Sequence, residues 1–353
     1  MTTAMRGDAV YSRDARTVRW GIVSTGNIAG VFTTDLALLP NHRVVAVGSR
    51  DLERARAFAA KHGIDRAYGS YQEVADDPEV DVVYVATPHS DHHRTTAYVL
   101  RAGKAALTEK AFTVNSAEAR DLIELARRHH GFLMEAMWMR CNPLHLKLRE
   151  LVDDGAIGEP RTLRAELAFT PPYDPTSRLF DPALTGGALL DVGVYPVGLA
   201  YHLFGAPDRV HAQAAMVPTG VDGTVSAVLG WSDRGIHATV TGSLISNLPN
   251  TAAIGGSEGW IELPRSFHDT HRLVLHRIGA EPETISVELN GVGYTYEAEE
   301  VAHGLAAGAI ESTKVTHADT LAVMALLDEI REQIGLRYPG EPAESQRQEK
   351  HGR

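Results

Sequence analysis

The chain has 353 residues, 44% of them hydrophobic, and a formal net charge of −11. This length exceeds what one hydrophobic core usually serves, so two domains are predicted, and the negative charge argues against a nucleic-acid partner. The single cysteine, Cys141, excludes an internal disulfide and a cysteine-based zinc site, and it fits a reducing compartment.

The start of the chain mixes charged and small side chains and lacks the apolar run of a signal peptide. We therefore predict a flexible N-terminus over residues 1–17 and a cytoplasmic protein. The best apolar run, residues 80–86, is much shorter than the ~18 residues that a membrane span needs, so no membrane partner is predicted. The histidines are scattered, and adjacent His92 and His93 point to opposite sides of a helix or strand. No metal site is predicted.

Residues 18–137 alternate short apolar runs with longer helical patterns, which is typical of βαβ units around a parallel sheet. The predicted strands are residues 19–23, 43–48, 80–86, 105–108 and 132–135. The predicted helices are residues 26–39, 52–62, 92–102 and 116–129. This pattern predicts a doubly wound α/β domain of the Rossmann type, which binds a dinucleotide cofactor.

Residues 138–339 have a different character and predict a second domain of the α+β class. After a helix at 143–153, the predicted strands are 161–169, 209–217, 224–231, 236–244, 259–263, 272–277 and 284–289. Polar turns join them, which favours hairpins and an open-faced, mostly antiparallel sheet. A helix near 191–204 covers one face, and the other face is predicted to pair with a second copy in a homodimer or higher homo-oligomer. A helix at 317–334 precedes a polar tail, 340–353, that is predicted to be flexible.

The turn after the first strand has the small residues that a dinucleotide-binding turn needs. Ser24, Gly26 and Ala29 stand where the chain bends, where the backbone approaches the pyrophosphate, and where the helix packs on the strand. Serine departs from glycine at the first place, so an ordinary strand–turn–helix remains an alternative. Backbone N–H groups at the start of the helix would face an anion. The candidate cofactor-binding residues of this turn are Ser24, Thr25, Gly26, Asn27 and Ile28.

The end of the second strand bears on the choice of cofactor. NAD sites usually place Asp or Glu there to accept the ribose hydroxyls, whereas this chain offers Ser49 and Arg50. A hydroxyl and a guanidinium suit a 2′-phosphate, and arginine can also stack on adenine. The alternative is that Arg50 is a solvated charge followed by a helix-capping Asp51. The pattern predicts NADP, with NAD also possible.

Three residues suggest acid–base chemistry. Lys110, in Glu109-Lys110, follows the fourth strand and lies at the edge of the sheet where such folds bind ligands. Asp191 and Tyr195 are four residues apart and share one face of a helix. Oxidation of an alcohol needs a proton acceptor, a cation and an orienting carboxylate, which these residues would supply. Alternatively, Lys110 is a surface charge, Tyr195 a buried structural residue and Asp191 a helix cap beside Pro196.

Five motifs in the same order together carry a resemblance to a known family, and the similarity runs from about residue 18 to 339. They are Trp20-Gly-Ile-Val-Ser-Thr-Gly-Asn-Ile-Ala29, Thr87-Pro-His-Ser-Asp-His92, Glu109-Lys110, Glu135-Ala-Met-Trp-Met-Arg140 and Gly186-Gly-Ala-Leu-Leu-Asp-Val-Gly-Val-Tyr195. The chain resembles the glucose-fructose oxidoreductase/inositol dehydrogenase (Gfo/Idh/MocA) family. Within that family it is most similar to dimeric dihydrodiol dehydrogenases and NADP-dependent D-xylose 1-dehydrogenases.

The resemblance implies a Rossmann domain followed by an open-faced sheet domain that often mediates dimers. It also implies that Lys110 and Asp191 are catalytic and that Tyr195 is the base, where inositol dehydrogenases carry histidine. Ala111 stands where the family has proline, which removes a backbone constraint beside Lys110. Further cofactor-binding residues implied are Thr87, Pro88, His89, His92, Glu109 and Lys110, with both histidines on a loop that passes the nicotinamide. The candidate substrate-binding residues are Trp138, from the resemblance, and Arg178, Asp181, Phe267 and His268.

These observations predict hydride transfer between NADP(H) and a hydroxyl-bearing carbon of a sugar, cyclitol or cyclic diol. Tyr195 would move the proton, and Lys110 would stabilise the alkoxide. Three alternatives stay open: an NAD(P)-sensing protein without catalysis, an enzyme of the glucose-fructose oxidoreductase type with a tightly held cofactor, and a glycosidase that works through an oxidised sugar.

Overall fold

The computed structural model describes residues 16–341 and the backbone of residues 2–6. Its elements are numbered in chain order, beginning with β1 (Thr2–Arg6). Fifteen strands of the described residues form two sheets, one of six strands and one of nine. The sheets belong to an N-terminal α/β domain and a C-terminal α+β domain, so the predicted fold class is confirmed.

The N-terminal sheet is parallel throughout, with the strand order β4-β3-β2-β5-β6-β7. Its strands are β2 (Val18–Val23), β3 (His42–Gly48), β4 (Arg66–Tyr68), β5 (Val82–Val85), β6 (Ala105–Glu109) and β7 (Leu133–Ala136). The helices between them are α1 (Asn27–Leu36), α2 (Leu52–His62), α3 (Tyr71–Asp76), α4 (His89–Arg101) and α5 (Ser116–His129). The order reverses between β2 and β5, and such a point opens a crevice at the carboxyl ends of the strands.

The central strands of this sheet are apolar along their whole length because helices cover both faces. All four residues of β5 are buried, as are all five of β6. Trp20 of β2 is completely buried against Phe32 of α1, and its indole N–H donates to His42 Nδ1 at 3.0 Å.

The C-terminal sheet has the order β1-β15-β14-β13-β12-β8-β11-β10-β9. Its strands beyond β1 are β8 (Pro160–Ala168), β9 (Arg209–Met216), β10 (Asp222–Trp231), β11 (Ile236–Ser243), β12 (Ala252–Gly256), β13 (Gly259–Leu263), β14 (Arg272–Arg277) and β15 (Glu283–Glu288). Two pairs are parallel, β1 with β15 and β8 with β11, and the remaining pairs are antiparallel. The domain also contains α6 (Pro143–Asp153), α7 (Val194–Phe204), α8 (Thr295–Ala307) and α9 (His317–Ile334).

One face of this sheet is covered and the other is open, as the alternation along its strands shows. In β10, Val225, Ala227 and Leu229 are buried, whereas Ser226 and Val228 are exposed. The inward face packs on α7, whose residues are almost all buried. A helix that is apolar all round belongs in a core. The outward face is where a second copy is predicted to pair.

The stretch Pro182–Phe204 is long and apolar enough to cross a membrane by length and composition alone. However, 89% of its most apolar window is buried inside the protein. Burial of this kind is expected for a core helix that packs on the inward face of the C-terminal sheet.

Several elements differ from those predicted. The sequence did not predict β4, α3, β12 or α8, and the prediction of a flexible N-terminus omitted β1, which pairs with β15. Helix α8 escaped prediction because Glu297 and Glu300 occupy buried positions, which interrupts the apolar stripe on which a helical pattern depends. Residues 7–15 and 342–353, which include most of the predicted tail, lie outside the described residues.

Candidate active site

A cleft of about 370 Å³ lies where the carboxyl ends of β2, β5 and β6 meet the start of α7. It therefore lies between the two domains, at the crevice that the strand order creates. Its lining residues are Ser24, Gly26, Asn27, Ile28, Ala86, Thr87, Pro88, His89, His92, Glu109, Lys110, Arg178, Leu184, Asp191, Tyr195 and Tyr294.

The turn between β2 and α1 has the shape that a pyrophosphate requires. Ser24 has φ of +85°, a backbone conformation that favours glycine, which explains why glycine is usual at this place. Gly26 is the N-cap of α1, and a Cβ added there would meet only Ser24 Oγ, at 3.8 Å. An anion can therefore approach the N–H groups that begin α1. Thr25 lines an adjoining groove with Lys61 and His62.

Ser49 and Arg50, predicted to bind a 2′-phosphate, follow β3 and are not among the residues that line the cleft. Asp51 caps α2 by accepting from the N–H groups of Glu53 and Arg54, as the alternative interpretation required. The side chain of Arg50 is 68% exposed, and its guanidinium is 3.9 Å from the carboxylate of Asp91. Asp51 accepts the hydrogen bonds of the N–H groups at the start of α2, so the cap does not involve the side chain of Arg50. The exposed guanidinium of Arg50 is therefore compatible with the cap.

His89 and His92 were predicted on a loop, but both belong to the first turn of α4, with Pro88 as N-cap. His92 Nδ1 is 3.0 Å from the Ala111 carbonyl and Nε2 is 2.8 Å from the Thr87 carbonyl. His89 Nε2 is 3.2 Å from the Lys110 carbonyl. Burial lowers the pKa of His92, and burial with the neighbouring His92 lowers that of His89 to about 3. Both are therefore neutral rings that hold the backbone around Lys110, where the Lys110–Ala111 peptide bond is cis.

Lys110 reaches across the cleft to the C-terminal domain. Its ammonium donates to the backbone carbonyl of Asp191 at 2.9 Å and lies 4.9 Å from the centre of the Tyr195 ring. Burial alone would lower the pKa of Lys110, but Tyr195, Asp191 and Glu109 together raise it. The lysine is therefore a fixed positive charge beside the phenol and not a solvated surface residue.

Asp191 lies in a π-helical turn, Leu189–Gly193, that leads into α7, so it does not cap that helix. Its carboxylate binds the Arg178 guanidinium at 2.7 Å, while its backbone carbonyl binds Lys110. Burial would raise the pKa of Asp191, but Lys110 and Arg178 lower it to about 2. The carboxylate is thus permanently ionised and paired. Pro196 lies in the first turn of α7, where the lack of a backbone N–H costs the helix no hydrogen bond.

Tyr195 lines the cleft and is in contact with Trp138. The indole N–H of Trp138 donates to Tyr195 Oη at 2.9 Å. Burial raises the pKa of Tyr195 to about 12, against the opposing effect of Lys110. The phenol is therefore protonated at neutral pH. Because the indole donates to the phenol oxygen, the phenol hydrogen remains available for a ligand.

Glu109 supports Lys110 from within the N-terminal domain. One carboxylate oxygen accepts from the Tyr84 hydroxyl, and the other accepts from the Lys110 backbone N–H at 3.1 Å. Burial raises the pKa of Glu109, although Lys110 lowers it. Glu109 therefore acts on the segment that carries the lysine, and it also lines the cleft.

The predicted substrate-binding residues divide into two groups. Arg178 lines the cleft, and His268 packs against the Tyr195 ring with centroids 5.0 Å apart. Phe267, in contrast, is completely buried and is not among the cleft residues, while Asp181 caps the short helix Pro182–Leu184 through the Ala183 N–H. Those two residues have structural contacts, and the structure does not bring them to the cleft.

Tyr294 is a cleft residue that the sequence analysis missed. It lies in the loop before α8, an element that was itself not predicted, so nothing placed it near the N-terminal domain. The structure stacks its ring on Trp138 with centroids 4.5 Å apart. The only sequence signal was an aromatic residue after the glycine-rich stretch Asn290-Gly-Val-Gly293. Among the described residues, no cluster of three or more His, Cys, Asp or Glu side chains could hold a metal ion.

Comparison with known proteins is consistent with this architecture. The model for the oxidoreductase family with an NAD-binding Rossmann fold (GFO_IDH_MocA) matches residues 18–137, and the GFO/IDH/MocA C-terminal domain matches residues 145–262. The chain is 42% identical over 330 residues to trans-1,2-dihydrobenzene-1,2-diol dehydrogenase of Mus musculus, covering 91% of this chain and 98% of the relative. It is 39% identical over 333 residues to the protein of that name from Xenopus laevis, covering 91% and 99%.

Two solved structures share the fold over 90% of this chain. A 3-ketoreductase from Actinomadura kijaniata in complex with NADP has a TM-score of 0.78, 26% identity and 98% of its own chain covered. An aldose-aldose oxidoreductase from Caulobacter crescentus complexed with glycerol has a TM-score of 0.82, 25% identity and 97% covered. The chain therefore belongs to the Gfo/Idh/MocA family of oxidoreductases, as its motifs predicted.

Proposed function

We propose that this protein is an NADP(H)-dependent dehydrogenase that acts on a hydroxyl-bearing carbon of a cyclic diol, sugar or cyclitol. The observation that carries the proposal is the meeting of Lys110 and Tyr195, from different domains, in the cleft that begins at the α1 turn. A fixed cation beside a phenol that can release and take back its proton is what the reversible conversion of an alcohol to a ketone requires.

Each residue has a distinct part in this chemistry. NADP(H), which the α1 turn with Gly26 and Asn27 would hold, would supply the hydride acceptor for oxidation and the hydride donor for reduction. Tyr195 takes the proton from the substrate hydroxyl during oxidation and supplies it to the carbonyl oxygen during reduction. Lys110 stabilises the negative charge on that oxygen, and the Trp138 indole holds Tyr195 Oη in place at 2.9 Å. Asp191 and Arg178 line the cleft as an ion pair.

The relatives support both the cofactor and the substrate class. The similar mouse and frog proteins are named for a diol on a ring, and the bacterial 3-ketoreductase was solved with NADP. Those names support the proposed conversion between an alcohol and a ketone with NADP(H). Tyr195 and Lys110 also favour catalysis over a role as a cofactor sensor, since a sensor has no need of a buried acid–base pair.

A substrate screen tests the proposal. We expect purified protein to reduce NADP⁺, measured by absorbance, with at least one member of a panel of aldoses, inositols and trans-cyclohexane-1,2-diol. Reduction of NADP⁺ by none of these alcohols, together with no oxidation of NADPH by the matching ketones, would contradict it. Analysis of the products after incubation with a glycoside checks for cleavage of the glycosidic bond, which the proposal does not expect.

Arg50 is proposed to select NADP over NAD. Its exposed guanidinium at the end of β3 can pair with a 2′-phosphate, a charge-assisted contact that NAD lacks. We expect Arg50→Ala to weaken NADP⁺ binding by roughly tenfold or more, since such hydrogen bonds contribute about 1.5–3 kcal/mol, and to leave NAD⁺ binding nearly unchanged. Titration of both nucleotides by calorimetry measures the ratio.

Arg56→Ala is the matched control because Arg56 is an exposed arginine of α2 that pairs with Glu53. It removes the same charge from the same helix region, and we expect its NADP⁺/NAD⁺ ratio to stay at the wild-type value. An equal change in both variants, or an unchanged ratio in Arg50→Ala, would show that Arg50 does not read the 2′-phosphate.

A further inference from the structure

Tyr294 is brought to the cleft by a loop that the C-terminal domain fixes on α1. The backbone N–H groups of Val292, Gly293 and Tyr294 all donate to the carboxylate of Asp35, at 3.0 to 3.2 Å. Gly293 has φ of +113°, and a Cβ there would come within 3.1 Å of the Trp138 ring. The loop therefore has a defined shape, and its position against Trp138 depends on the absence of a side chain at Gly293.

The ring of Tyr294 is packed on two sides. It stacks on Trp138 with an interplanar angle of 25° and meets Phe32 edge-on. Trp138 is also the residue whose indole N–H binds Tyr195 Oη. Two tyrosines thus flank one indole, and both line the cleft.

The hydroxyls of these two tyrosines are in different situations. Tyr195 Oη accepts from Trp138, whereas the Tyr294 hydroxyl forms no hydrogen bond with any residue that the structure describes. A tyrosine hydroxyl in a mostly buried position usually has a partner. Burial, with the nearby Tyr195 and Glu109, raises the pKa of the Tyr294 hydroxyl, so it stays a neutral donor.

We infer that the Tyr294 hydroxyl binds the second hydroxyl of a vicinal diol, on the carbon next to the one that Tyr195 and Lys110 address. This assignment rests on the proposed function and narrows its substrate class to ring compounds with two adjacent hydroxyls. A simple alcohol has no second hydroxyl, so when it binds, the Tyr294 hydroxyl stays without a hydrogen-bond partner. The site therefore favours the diol over the simple alcohol. Tyr294 is therefore a specificity-determining residue and takes no part in proton or hydride transfer.

The test compares trans-cyclohexane-1,2-diol with cyclohexanol, which lacks the second hydroxyl, at saturating NADP⁺. For Tyr294→Phe, which keeps the stacked ring, we expect kcat/KM for the diol to fall by about tenfold, as for the loss of one hydrogen bond. The value for cyclohexanol should stay within twofold of wild type. Where cyclohexanol turns over too slowly, its inhibition constant against the diol replaces kcat/KM.

Tyr98→Phe is the control, since Tyr98 is a partly exposed tyrosine of α4 that is not among the cleft residues. An equal loss for both compounds in Tyr294→Phe, or no loss for the diol, overturns the inference. A wild-type enzyme that oxidises other alcohols but does not prefer the diol to cyclohexanol overturns it as well. Failure of the proposed function looks different, because the wild-type protein would then reduce NADP⁺ with none of the alcohols.

Discussion

Replacing Tyr195 by phenylalanine is expected to lower kcat by roughly 10²–10⁴-fold, the usual contribution of a positioned acid–base group. The affinity for NADP⁺ should stay at the wild-type value, because Tyr195 belongs to α7 of the C-terminal domain and is part neither of the α1 turn nor of the segment after β3. Single-turnover kinetics and nucleotide titration measure the two quantities separately.

The reason lies in the proton that Tyr195 holds. Burial raises its pKa to about 12, so at neutral pH the phenol is ready to protonate a carbonyl oxygen. Oxidation needs the deprotonated form. As long as the pH is below the pKa, the deprotonated fraction rises about tenfold for each unit by which the pH increases. We therefore expect the wild-type oxidation rate to increase with pH and the reduction rate to stay level until the phenol ionises. Tyr195→Phe should lose the rise with pH.

Tyr201→Phe provides the matched control, since Tyr201 lies on the same helix at its opposite end, away from the cleft residues. Its kcat should remain close to wild type. Near-normal turnover of Tyr195→Phe, or an equal loss in Tyr201→Phe, would contradict the assignment of Tyr195 as the acid–base residue.

Much of the fold follows from local patterns. The strands of the N-terminal sheet are short apolar runs buried on both faces, and the helices between them carry ordinary caps, such as Asn115 at the start of α5. Helix α9 begins with a capping box at Thr316 and Asp319, which a sequence displays directly. Some of the elements that escaped prediction lack such a signal. Strand β12, for example, consists of alanine, isoleucine and glycine and is stabilised by pairing with β8 and β13.

The candidate site was predictable where a motif carries its own chemistry. Lys110, Asp191 and Tyr195 could be selected by residue type and position, and the structure brings all three to one cleft. The sequence named Arg178 and Trp138 as candidates, but it did not show that they bind Asp191 and Tyr195, since such contacts depend on the packing of distant segments. Tyr294 stacks on Trp138 in a loop before α8 that Asp35 of α1 binds through backbone N–H groups.

Replacing Lys110 by methionine is expected to reduce kcat by roughly 10²–10³-fold, the cost of losing one group that stabilises a developing oxyanion. The change keeps an unbranched, flexible side chain and removes the ammonium that binds the Asp191 carbonyl at 2.9 Å. Thermal unfolding should remain cooperative, since the N-terminal sheet does not depend on this contact. Steady-state kinetics in both directions measure the loss.

Lys110→Met should also change the pH dependence of what activity remains. The positive charge of Lys110 lowers the pKa of Tyr195, against the larger effect of burial. Without it, the pKa of Tyr195 rises further, so the deprotonated fraction at any given pH falls. The kcat for oxidation should therefore fall more than the kcat for reduction. The increase of the oxidation rate with pH should begin at a higher pH than in the wild type. An equal loss in both directions with an unmoved pH profile would show that Lys110 does not act on the phenol.

Lys104→Met is the control for this prediction, because the chain offers a second lysine with the same kind of contact. Lys104 Nζ donates to the backbone carbonyl of Val80 at 2.7 Å, near the start of β6 and so at the opposite end of that strand from Lys110. The substitution removes one ammonium–carbonyl bond and one positive charge, as in Lys110→Met, but away from Tyr195. If removal of an ammonium–carbonyl hydrogen bond lowers the stability of the protein, both variants should show it. The loss of kcat and the shifted pH profile should appear only in Lys110→Met. If Lys104→Met shows the same kinetic change, the effect of Lys110 is structural and its place beside Tyr195 has no part in catalysis.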